Sequence, residues 1–189
     1  MPGLSAPVVT RGVQIAAGLR AAFLLAQGKE DGLRFTLLSM EGAARSFWAA
    51  AICLVPFLAI RAIGEEGFPS EGLGVELVGY LLGWVAFPLA SAALVDASGR
   101  GPLWPLFVAA WNWSNLAQYA ALMAAVLFGR LLPGGLGGML SLLAIGYALW
   151  MEWFVTKSAL RISGARAGMF VLLDLAIGIL IATMVDRLS

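Results

Sequence analysis

Hydrophobic residues in this chain fall into long, nearly charge-free blocks. From residue 47 onward there are five, at about 47–63, 75–96, 103–128, 136–156 and 167–186, apolar on nearly every face, as helices immersed in hydrocarbon are. A hydrocarbon layer of roughly 30 Å takes about 20 helical residues, and every block after the first reaches that length. The first block is the shortest and holds Pro56; the second holds Pro88; the third opens on Trp104 and Pro105, a first-turn place suited to proline. Turn chemistry separates the blocks: an acidic, Gly-rich stretch at 64–74, SGRGP at 98–102 and PGGLGG at 133–138. The pattern predicts an all-α polytopic membrane bundle of about five transmembrane helices over residues 47–186, with 187–189 as a short outer tail.

Residues 1–46 read differently. Arg11, Arg20, Lys29 and Arg34 interrupt their apolar runs, so none is long enough to cross, and a secretory signal fits poorly because no basic residue precedes Arg11 and no cleavage site follows. At helical spacing Val8, Ile15, Leu19, Ala22 and Phe23 form one stripe bordered by Arg11 and Arg20, which predicts an amphipathic interfacial helix. GKEDG at 28–32 breaks it, and Asp31 is expected to cap a second helix carrying Leu33, Phe35, Leu37 and Leu38 up to Arg45. Both helices are expected along the cytoplasmic face, or else capping the bundle from below.

Basic residues orient the chain. Arg11, Arg20, Lys29, Arg34, Arg45, Arg100, Lys157, Arg161 and Arg166 fall on the N-terminal side of the bundle, and only Arg61, Arg130 and Arg187 on the other, beside the acidic Glu65, Glu66, Glu71 and Glu76. Cationic loops stay inside, which puts the N-terminus in the cytoplasm and the C-terminus outside, across a bacterial inner membrane. Trp48, Trp104, Trp150 and Trp153 near the cytoplasmic span ends suit an interfacial belt. Arg in preference to Lys, with abundant Ala, Gly and Leu, suggests a GC-rich bacterial genome.

Composition narrows the chemistry. With 61% hydrophobic and 12% charged residues and a formal charge of +1, the chain has no basic footprint for nucleic acid. It has no His and a single cysteine, Cys53, so His-based metal sites, His acid–base catalysis and internal disulfides are excluded. No GxSxG, HExxH or paired intramembrane Asp motif occurs, so no catalytic residue and no cofactor are expected.

Ionisable groups inside a bilayer are costly and mark candidate sites. Asp174 sits seven residues into the last block, on the order of 10 Å deep, and Glu152 three residues from the end of the fourth, about 5 Å deep. Asn112 and Asn115, three apart in the third block, share a face that Tyr119 continues. Asn112, Asn115, Glu152 and Asp174 are therefore expected at similar depth as one polar layer. Interhelical packing, proton or substrate handling, and a surface for another subunit all fit such a layer. Small residues four apart, Gly79 with Gly83 and Ala117, Ala121 and Ala125, allow close helix approach.

A basic amphipathic N-terminal region, five closely spaced spans and the Gly146–Tyr147 pair together resemble the Yip family of five-span membrane proteins. The resemblance implies a non-enzymatic membrane organiser, with no functional residue carried across. The expected function is thus a membrane scaffold or accessory subunit, in contact with the lipid bilayer, other membrane subunits or a second copy; the alternative is a small proton-coupled transporter or channel using Asp174 and Glu152.

Overall fold

The computed structural model describes residues 11–64, 72–133 and 135–189, and among these every regular element is helical. In chain order they are α1 (Arg11–Ala26), a 3-10 turn (Glu30–Phe35), α2 (Met40–Ser46), α3 (Trp48–Gly64), α4 (Leu73–Ala97), a second 3-10 turn (Gly101–Leu103), α5 (Trp104–Gly129), α6 (Leu136–Leu160) and α7 (Gly164–Leu188). Val8, Glu65, Glu66, Glu71 and the side chain of Arg11, all used in the sequence analysis, lie outside the described residues.

Two sets of contacts fix the topology. At one end Arg130 donates to the Ile63 carbonyl and Gly72 lies under Ser189, gathering the end of α3, the start of α4, the α5–α6 turn and the C-terminus. At the other, Arg100 donates to the Arg161 carbonyl at 3.2 Å, joining the α4–α5 and α6–α7 turns. α4 to α7 therefore run alternately up and down, with α3 parallel to α5. The turns are built as local chemistry demands: Gly72 before α4 and Gly99 after it hold positive φ, and Ser163 caps α7 through the Arg166 amide.

Four stretches are long and apolar enough to cross a membrane: Met40–Ile63, Leu73–Ala97, Leu136–Leu160 and Gly164–Leu188. Their length and composition fit a multi-pass membrane protein. The remaining expected block, 103–128, is α5, which is long enough to cross but is less apolar than these four because it carries Asn112, Ser114, Asn115 and Gln118 in its middle. α5 has no need of an apolar surface all round, since it is the central helix, packed against α1, α2, α3 and α6, with Phe107 to Ser114 wholly buried. α7 is its opposite. Only Ala167 and Phe170 are buried, and Leu172, Ile179, Leu180 and Leu188 project outward to where lipid would lie.

The N-terminal region departs from expectation in two ways. α1 packs on α5, but through the small residues Gly18, Ala21 and Ala22 with Leu25, while Leu19 and Phe23 of the expected stripe are exposed. Close approach decides this: a Cβ on Gly18 would meet the Trp113 indole at 2.1 Å, so the smallest face goes inward and the bulky apolar face outward. Nor does Asp31 begin a helix reaching Arg45. Residues 30–35 close a 3-10 turn, Asp31 pairs with Arg34 at 3.3 Å, and it is Ser39 that caps α2, its Oγ accepting from the Gly42 amide at 3.0 Å. α2 then leads into α3 with only Phe47 between, so the first span starts at Met40 rather than 47.

The glycines of α4 have separate tasks. A Cβ on Gly79 would lie 2.5 Å from Val185 Cγ2, whereas one on Gly83 meets nothing within 4 Å. Gly79→Leu is therefore expected to push α7 off α4 and lower stability by about 1–3 kcal/mol, as overpacking does, with Gly83→Leu close to wild type. Thermal unfolding of the two variants in detergent, followed by tryptophan fluorescence, checks the contrast; equal midpoints would refute it.

Candidate functional site

α3, α4, α5 and α7 border an open cavity of about 480 Å³. Three helical stripes supply half of its lining residues: Glu76, Tyr80 and Trp84 from α4, Trp111, Asn115 and Tyr119 from α5, and Asp174, Gly178 and Ala182 from α7, each repeating every four residues so that one face points inward. The rings form a continuous wall. Phe57 and Tyr80 lie 4.6 Å apart between centroids, Tyr80 and Trp84 6.1 Å, Tyr80 and Tyr119 6.5 Å, and Trp84 and Trp111 6.1 Å. Tyr80 is anchored, its hydroxyl donating to the Ala50 carbonyl of α3 at 2.5 Å.

Toward the end of the bundle that holds the C-terminus, Arg61 and Glu76 form a two-pronged ion pair. Arg61 Nε donates to one carboxylate oxygen at 3.0 Å and a terminal guanidinium nitrogen to the other. Glu76 is 7% exposed, so its charge is held in a largely dehydrated place. Asp186 and Ser189 line the same end.

Asp174 lines the cavity further in, and the carboxyl of Glu152 on α6 is its electrostatic neighbour. The two groups match in depth better than the sequence implied: α6 continues to Leu160 and α7 starts at Gly164, which places Glu152 about 12 Å and Asp174 about 15 Å from those ends. Glu152 is 4% exposed, and its Oε1, like the hydroxyl of Thr156 one turn on, has no hydrogen-bond partner among the described residues.

The expected layer of four thus divides. Glu152 and Asp174 meet, and Asn115 shares the cavity with Asp174 while its Nδ2 donates to the Trp111 carbonyl at 3.0 Å. Asn112 belongs elsewhere: it is fully buried, off the cavity wall, and donates to Ser46 Oγ of α2 at 2.7 Å. Spacing by three had joined the two asparagines, but spacing by four from Trp111 through Asn115 to Tyr119 is what faces the cavity. The Arg61–Glu76 pair and the aromatic wall were missed as site features; the Glu76, Tyr80, Trp84 stripe was the signal that would have found them. Among the described residues no three carboxylate or thiol groups converge as a metal cage would need.

No family model, no curated protein and no solved structure matches this chain.

Proposed function

We propose that this protein is a small proton-coupled membrane transporter, in which Glu152 and Asp174 carry the exchangeable proton and the adjoining cavity receives the solute. The observation behind this is the contact of two intramembrane carboxyls where one of them borders a cavity large enough for a small molecule. Packing alone is served by uncharged partners such as Asn112 with Ser46; a carboxyl pair adds a group that can gain and lose a proton. The other titratable groups around it are Arg61 and Cys53 of α3, Glu76 and Tyr80 of α4, Tyr119 of α5 and Asp186 of α7.

The excess of basic residues at the Arg100–Arg161 end makes that end cytoplasmic, so the Arg61–Glu76 end faces outward, in a bacterial inner membrane. Reporter fusions at the two termini are expected to signal from opposite sides; signals from one side would overturn the orientation. For the proton itself, infrared difference spectra of the protein in liposomes are expected to show a protonated-carboxyl band that appears and disappears reversibly with pH and is absent in Asp174→Asn. A spectrum without that band would sink the reading.

The breadth of apolar surface that α7 leaves uncovered favours a second reading, an accessory subunit or scaffold of the Yip type whose α7 lies against another membrane protein. Purification from native membranes with a stoichiometric partner would favour it over transport.

A further inference from the structure

We infer that the cavity is a binding site for a monovalent organic cation, an amine or quaternary ammonium with an apolar body, seated against the ring wall with Asp174 as its counter-charge. This names the solute of the transport reading above and rests on it. Five aromatic side chains, Phe57, Tyr80, Trp84, Trp111 and Tyr119, line one cavity, and a cation over such faces is attracted by their quadrupoles. Glycine leaves room in the lining: Gly83 and Gly178 both border the cavity, and a Cβ on either would meet nothing within 4 Å.

Charge makes the choice of sign. The guanidinium of Arg61 is engaged on both prongs by Glu76, and the other charged groups on the lining, Asp174 and Asp186, are acidic. An anion would meet carboxylates with the cationic group already engaged. A sugar or other polyhydroxy solute would need many hydrogen-bond partners, and the deep wall is mostly aromatic, its polar groups being Asn115, Asp174, the indole N–H groups of Trp84 and Trp111 and two tyrosine hydroxyls, of which Tyr80 is bonded to Ala50. An apolar cation satisfies the rings and the carboxylate together. When it enters, one proton leaves the Glu152–Asp174 pair, so the net charge of the site is unchanged and cation influx is exchanged for proton release.

The test uses the full chain in lipid nanodiscs and two probes of the same shape and opposite charge, tetraphenylphosphonium and tetraphenylborate, measured by calorimetry against protein-free nanodiscs. Tetraphenylphosphonium is expected to bind saturably and to release a proton into a weakly buffered medium, while tetraphenylborate shows partition into lipid alone. Gly83→Leu, which fills the cavity without backbone conflict, is expected to weaken tetraphenylphosphonium binding by about tenfold or more, and Trp84→Leu to weaken it in the same sense. If tetraphenylphosphonium does not exceed the lipid background, or tetraphenylborate binds as well, the cation site is overturned, and the carboxyl band of the wild type still reports independently on the proton reading. Saturable binding of the cation without proton release would uphold the site and overturn the coupling.

Discussion

Asp174→Asn is expected to reduce proton-driven exchange in proteoliposomes to the level of liposomes without protein, while helical content and thermal midpoint stay at wild-type values. The amide has nearly the shape of the carboxyl and its NH₂ is able to donate to Glu152, so the α6–α7 packing is kept. What is lost is the ability to release a proton. Even if the contact itself were weakened, interhelical hydrogen bonds contribute about 0.6 kcal/mol in membranes, too little to unfold the bundle. Glu152→Gln is expected to behave alike, and Asp174→Glu to retain part of the activity. A pH-sensitive dye inside the vesicles reads the rate; exchange by Asp174→Asn at the wild-type rate would reduce the pair to a packing contact.

Arg61→Leu is expected to be the most destabilising single change at the cavity. Glu76 is buried, and the guanidinium that satisfies both of its oxygens would be gone. Stripping one partner from a buried pair costs about 3–5 kcal/mol, and because the Arg61 side chain is 40% exposed the lower end applies, about 3 kcal/mol. Adding Glu76→Gln removes the stranded charge, so the double variant is expected to regain most of that loss. Unfolding in mixed micelles, followed by tryptophan fluorescence, distinguishes the cases. A single variant as stable as wild type, or a double variant no better than the single, would contradict the account of Glu76.

Much of the fold was written in the apolar blocks, because a helix in lipid has to be apolar over its whole length, and α4, α6 and α7 fall where those blocks lie. The ends were less legible. Polar residues such as Lys157, Ser158 and Arg166 look like loop but continue helices once the bundle's margin is reached. α5 also lies on its expected block, and its polar middle is tolerated because hydropathy registers contact with lipid and the buried half of a central helix has little. Within the site, Glu152 and Asp174 stood out as intramembrane charges, and their meeting follows from two antiparallel helices joined by a short turn. That Asn112 turns to Ser46 depends on where α2 lodges, and nothing in the apolar pattern around residue 40 specified that.

The polar middle of α5 bears on how the chain enters the membrane during synthesis. A segment with two asparagines and a glutamine at its centre partitions poorly into hydrocarbon by itself, and α1, α2 and α3, all earlier in the chain, form part of its seat, which α6 completes afterwards. Translation order thus supplies α5 with polar and packing partners made before it, among them the Ser46 hydroxyl for Asn112. Moving α5 ahead of those segments by circular permutation would leave it with no such berth at the translocon.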